Sequence, residues 1–264
     1  MKKIFVFILT AAMLLCAFSL QTAAADKITV YVTIANGSLV MTHEAITVTD
    51  IDGDDLITLY DALYCAHEAK FEGGAAAGFD TATGDYGLYL LKLWGVENGG
   101  SYGYYVNNAA FANLAGEIKD GDSLAAFVYQ DAVGYSDVFC YFDTSTASVA
   151  EGGSVTLTLL SIGFDADWNI AVVPTESAAV SVNGSDLSTT DAEGKVTLVF
   201  DTTGTYVISA SSSTQTLVPP VCIVTVSATT PETGDTMIVF VTAMMLCLIA
   251  AAAVLLARRN SYEK

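Results

Sequence analysis

Residues 28–35, Ile-Thr-Val-Tyr-Val-Thr-Ile-Ala, alternate with the period of a half-buried strand. Asn36-Gly37 is a hairpin signal, and residues 45–49 return as a second strand. From Leu59 to Ala69 the period changes to that of a helix whose apolar side carries Leu59, Leu63 and Ala66. A Gly/Ala-rich loop over 71–84 follows, then aromatic-rich strands at 86–96 and 101–107 joined by Glu97-Asn98-Gly99-Gly100. Strands at 123–129 and 138–142 complete a first unit, 26–145, with the order strand, strand, helix, strands. That order predicts an α+β domain of the β-grasp kind.

From Ser148 the texture changes. Residues 155–160 alternate strictly with Thr outward, and short strands recur at 178–182, 195–200, 205–210 and 221–226, each bounded by Gly, Asp or Pro. That spacing predicts a β-sandwich over 146–228, with Tyr206 as a core aromatic and Pro219-Pro220 opening the last strand. The fold class expected is therefore mainly β: a β-grasp-like α+β domain followed by an Ig-like sandwich.

Both ends are apolar. Met1-Lys2-Lys3, the apolar run from Ile4 to Leu20 and Ala23-Ala24-Ala25 before Asp26 form a signal peptide, 1–25. Leu15 ahead of Cys16 is too large for a lipoprotein signal, which leaves cleavage and export. Residues 237–257 carry no charge and are long enough to cross roughly 30 Å of hydrocarbon at ~1.5 Å per residue. Arg258-Arg259 would hold the tail inside the cell.

The exported part, 26–233, holds 27 acidic residues against five lysines and no arginine, a net charge of −22. Such a surface repels nucleic acid, which is excluded as a partner. Cys65, Cys140 and Cys222 are an odd set with no metal-ligand spacing. They read as three buried thiols, with a Cys65–Cys140 disulfide as the alternative if the fold brings the pair within ~7 Å.

Little in the chain marks catalysis. His43 and His67 are far apart in sequence, with His67 expected as an exposed or capped helix residue, and no nucleophile elbow, P-loop or His cluster is present. The expectation is a protein that is not an enzyme. The sharpest chemical feature is the loop 50–61. Asp50, Asp52 and Asp54 stand at positions 1, 3 and 5 of a calcium loop, Leu56 offers the position-7 carbonyl and Asp61 stands at position 12. Asp55 occupies position 6, where Gly normally takes a positive φ. The spacing resembles a dockerin-type calcium loop; the plain alternative is an acidic turn before a helix N-terminus. Trp94, Tyr102, Tyr104 and Asn107 are candidate ligand-binding residues, with core packing as the competing reading. Alternation puts Tyr102 and Tyr104 on one face and Tyr105 on the other.

Three resemblances extend this reading. Thr230-Pro231-Glu232-Thr233-Gly234 followed by Asp235, an apolar run and paired arginines resembles the cell-wall sorting signal of Gram-positive surface proteins, with Thr230 where the commonest version has Leu. The resemblance implies cleavage by a sortase between Thr233 and Gly234, covalent attachment to peptidoglycan, and a place on the outer face of the cell. Leu91-Lys92-Leu93-Trp94-Gly95, Gly103-Tyr104-Tyr105-Val106-Asn107-Asn108 and Ile118-Lys119-Asp120-Gly121-Asp122-Ser123-Leu124 resemble a surface family related to the C-terminal domain of transcobalamin and intrinsic factor. Residues 190–195 and 204–207 resemble bacterial Ig-like stalk domains. Together they imply a non-catalytic, sortase-anchored protein presenting a ligand-binding or adhesive domain to a small molecule, a glycan or a host protein. The alternative is a surface protein that binds cobalamin, another corrinoid or some other small ligand for uptake. Calcium is the one cofactor implied.

Overall fold

The alternation at 28–35 becomes strand β1 (Ile28–Asn36), with Val30, Val32 and Ile34 buried. Its hairpin partner β2 (Leu39–Val48) begins well before the expected start at Ala45. The computed structural model describes residues 27–110, 113–164 and 169–228. The expected signal peptide 1–25, Phe111, the residues read as a sorting signal (Thr230, Pro231, Glu232, Thr233 and Gly234) and the apolar run 237–257 lie outside them. Among the described residues no helix is long and apolar enough to cross a membrane.

Helix α1 (Leu59–Lys70) starts where Thr58 caps it: the Thr58 side chain accepts from Asp61 N–H, and the Asp61 carboxylate accepts from Thr58 N–H. This reciprocal box satisfies donors that a helix start otherwise leaves open. Leu59, Ala62, Leu63 and Ala66 have no exposed surface, so the expected stripe is the buried one. The stretch read as a loop over 71–84 holds a short helix α2 (Gly74–Gly78) and strand β3 (Asp80–Gly84), which forms a separate hairpin with β4 (Gly87–Lys92).

Strands β5 (Tyr102–Val106), β6 (Ala109–Ala110) and β7 (Ser123–Val128) join the first hairpin in the order β2-β1-β7-β5-β6. β1 and β7 run parallel at its centre, and the other pairs are antiparallel. Helix α1 covers one face, and Leu59, Leu63, Val32, Ile34, Leu93 and Leu124 are part of the core between them. Gly103 lies opposite Phe127 in the β5–β7 ladder. A methyl there would sit 2.1 Å from the Phe127 ring, so the ring lies over the bare glycine backbone.

Strand β8 (Val138–Phe142) corrects the sequence reading. Expected to close the first unit, it pairs with the sandwich instead. Strands β9 (Thr146–Ala150), β10 (Gly153–Phe164), β11 (Ile170–Pro174), β12 (Ala179–Val182), β13 (Ser185–Thr189), β14 (Lys195–Phe200), β15 (Gly204–Ser211), β16 (Leu217–Val218) and β17 (Cys222–Ser227) complete two sheets. One runs β11-β10-β8-β16 with β14 also on β10, the other β13-β12-β15-β17-β9. Their shared core includes Phe142, Leu157, Leu159, Leu198, Ile208 and Val224. Tyr206 packs half-buried at its margin, 5.0 Å from Phe200, with its hydroxyl donating to Thr202 O. The fold is mainly β, a sandwich beside a mixed sheet that carries most of the helix.

The second face of the mixed sheet is not left to solvent. Ala35 and Phe127 from that sheet meet Phe139 and Val218 from the sandwich in a small apolar cluster. Tyr105 stacks on Phe139 with centroids 3.8 Å apart and planes 4° from parallel. The connecting residues are pinned by Asp137, whose carboxylate accepts from the N–H groups of Gln130 and Asp131.

Candidate functional site

The candidates within the described residues each have a definite place. Asp50, Asp52 and Asp54 each bring a carboxylate oxygen within 4.8 Å of the others. Asp50 accepts from Gly53 N–H at 2.7 Å and Asp55 N–H at 2.9 Å, and the first of these holds its carboxyl below the usual range. Desolvation, then the charges of Asp54, Asp61 and Asp50, push Asp52 up. Asp55 takes φ 67°, the left-handed conformation that position 6 requires. Hard carboxylate oxygens suit calcium.

Asp61 is differently engaged. It is fully buried, with Oδ1 accepting from Ile51 N–H at 2.8 Å and Oδ2 from Thr58 N–H and Thr58 Oγ1 at 2.8 and 2.6 Å. A carboxylate offers about four acceptor directions. Three are filled, so Asp61 has no room to act as a bidentate ligand in this arrangement. Leu56 is 45% exposed, and its N–H is held by Asp54.

The aromatic candidates share one side of the mixed sheet. Trp94, Tyr102 and Tyr104 pack against the α1-side core. The Tyr102 hydroxyl lies 2.7 Å from Leu91 O and 2.8 Å from Val96 O, and it accepts from Asn98 N–H. Trp94 lies against His67 and Phe71. Tyr105, as alternation required, faces the sandwich. Asn107 sits in the β5–β6 turn at φ 50°, with Nδ2 on Asp122 Oδ1 and Oδ1 accepting from Ser123 N–H. His67 is wholly buried rather than exposed, because both its ring nitrogens find backbone partners inside the helix–sheet core. The three thiols are free.

Of the four ligand candidates, Asn107 alone lines a cleft of about 340 Å³ where the mixed sheet meets the sandwich. Thr33, Ala35 and Ala125 form its floor on the sheet side, and Phe139, Tyr141 and Pro219 line the opposite wall. The cleft exists because small side chains occupy the middle of a sheet face whose neighbours, Tyr105 and Phe127, make the contact. Asn108, Ser123, Asp143, Thr144, Ser145 and His43 add polar groups.

His43 is the residue that sequence reasoning passed over. Between β1 and β2 the register slips, with Val32 opposite Glu44 but Ile34 opposite Met41. That bulge gives His43 φ 46°, and its N–H bonds Thr33 Oγ1. Bulges re-aim side chains. Here the imidazole stacks on Tyr31, centroids 4.9 Å apart and 7° from parallel. Partial burial lowers its pKa and favours the neutral ring. A signal was present: the buried positions are odd-numbered at Met41 and even-numbered at Ile46 and Val48, and one extra residue is what shifts parity.

No family model matches the sequence, and no curated protein does. Among solved structures the chain is similar to the tandem Ig repeats of Dlar at 12% identity, covering 57% of this chain and 75% of that one with a TM-score of 0.25. It is also similar to the teleost fish polymeric Ig receptor ectodomain at 16% identity, covering 58% and 74% with a TM-score of 0.21. At these scores neither likeness carries an argument.

Proposed function

We propose that this chain is a non-catalytic surface protein, exported by its signal peptide, held to peptidoglycan by a sortase through residues 230–234, and binding a ligand in the cleft between its two units. The observation that carries the binding half is the cleft itself: a floor of small side chains with polar side chains of both units around it. The central parallel pair in the order β2-β1-β7-β5-β6 supports a β-grasp of the transcobalamin-related kind, and the paired five-stranded sheets support an Ig-like stalk. His67, with both nitrogens bonded, has no free basic site for catalysis. A volume near 340 Å³ lies at the small end of ligand sites and favours a sugar-sized or amino-acid-sized ligand over a corrinoid.

Two arms test the proposal in producing cells and in the purified full-length protein. Thr233→Ala moves the protein from the peptidoglycan-linked to the membrane fraction; equal wall attachment overturns the anchoring. A thermal-shift screen of sugars, amino acids, vitamins and peptides yields a saturable ligand that Ala125→Trp excludes by filling the cleft. Unchanged binding in that variant overturns the site.

A further inference from the structure

The polar groups at the cleft are not equally occupied by the protein. Asn107 spends its amide on Asp122 and Ser123. Asp143 gives Oδ1 to Thr158 N–H, and the Thr144 hydroxyl donates to Thr146 O. By contrast, the ring nitrogens of His43 and the side-chain amide of Asn108 have no hydrogen-bond partner among the described residues. His43 is the more telling of the two, since the β1–β2 bulge re-aims its side chain and places it at the cleft.

From this geometry we propose that the cleft recognises an uncharged saccharide of one or two rings, with His43 and Asn108 as its hydrogen-bonding residues. The inference rests on the cleft being the binding site, as argued above, and adds the ligand class.

Charge narrows the choice first. Among the described residues lining the cleft Asp143 is the only formally charged one and none is a lysine, so an anionic ligand meets no counter-ion there. The exported surface, at −22, opposes anions before they arrive. Hydrogen-bonding character narrows it further. A neutral imidazole offers one donor and one acceptor, an Asn amide two donors and an acceptor, and Ser123 and Ser145 hydroxyls both roles. Such ambivalent groups match sugar hydroxyls, which are themselves donor and acceptor. The flat apolar surfaces of Tyr141 and Pro219 suit the C–H faces of a pyranose. At about 30 Å³ per water, the volume equals roughly eleven waters, room for a disaccharide but not a long chain.

The test is calorimetric titration of the full-length protein in detergent with neutral mono- and disaccharides, the corresponding uronic acids, aliphatic amines and uncharged peptides. Neutral saccharides are expected to bind saturably, the uronic acids at least about tenfold more weakly. His43→Ala and Asn108→Ala each weaken binding about tenfold, the loss of one well-made hydrogen bond, with melting temperatures close to wild type. His43→Gln, which keeps a donor and an acceptor, recovers part of the loss. If an amine, a uronic acid or a peptide binds instead and Ala125→Trp blocks it, the cleft stands and the saccharide class is overturned. If a saccharide binds but none of the cleft variants alters it, both the class assignment at this site and the site itself are overturned.

Discussion

The backbone N–H of Trp94 donates to Nε2 of His67 at 2.9 Å, and that bond fixes the tautomer of a histidine with no exposed surface. Nδ1 must then carry the proton, which it donates to Leu63 O at 2.6 Å one turn earlier in α1. The pair ties the helix to the residue after Leu93, where φ is 49°. Phe71 and Phe79 enclose the ring.

Acid should loosen this tie. Burial lowers the pKa of His67 below its ordinary 6.5. Its contribution to stability is therefore complete above that value and is lost as the pH falls from there through the lowered folded value. His43 shifts in the same direction and adds to the slope. Denaturant titrations of the full-length protein at pH 7.5 and 5.0 should show His67→Phe less stable by about 1–3 kcal/mol at pH 7.5. The variant should also lose less stability than wild type between the two pH values; an identical acid slope would contradict the assignment.

Gly103→Ala should cost about 1–3 kcal/mol, because the added methyl, 2.1 Å from the Phe127 ring, forces that ring off its place over the strand. Gly163→Ala is the control, since a methyl there meets nothing within 4 Å. It should stay within about 0.5 kcal/mol of wild type. Equal effects at the two sites would remove the close-approach argument.

Calcium is expected to raise the melting temperature of the full-length protein by several degrees over chelator, as a hundredfold excess over Kd adds about 2.7 kcal/mol. Asp52→Ala should abolish that difference with little effect in chelator. Asp61→Ala should behave otherwise, destabilising by about 0.5–2 kcal/mol whether or not calcium is present, because it removes one half of the capping box at the start of α1. Melting curves that ignore calcium would leave the loop an acidic turn.

Burial pushes the Cys140 and Cys222 thiols up to about 12, with Asp143 adding to the shift at Cys222. The thiolate is the reactive form. Peptide mapping after brief iodoacetamide treatment at pH 8 should find both unmodified in native protein and both labelled in urea. Rapid native labelling would show that the sandwich core opens at these strands.

Much of the architecture was legible because one-sided burial writes a period into the chain. The Leu59, Leu63, Ala66 stripe and the alternation through Leu157 and Leu159 both returned as buried faces. Partner choice was not legible. Val-Phe-Cys-Tyr-Phe reads as a buried strand in either unit, and nothing local says that β8 hydrogen-bonds to β10 rather than to β7. Strand β11 was missed because Ile170, Val172 and Val173 are apolar yet exposed at a sheet edge, which breaks the link between hydropathy and burial. The cleft was hidden for another reason. Ala35, Ala125 and Thr33 carry no chemical signature, and a void between two units belongs to neither pattern.

The pairing of β9 with β17 bears on how the molecule carries load. The two strands run parallel, matched from Thr146 with Ile223 to Ala150 with Ser227. Under the anchoring proposed above, tension between the start of β9 and the end of β17 would pull the two strands in opposite directions along their length. Every rung of that ladder then resists together, in shear, instead of opening one after another like a zipper. A ladder pulled from opposite ends is strongest in that geometry, which suits the sandwich to the load that the proposed attachment would place on it.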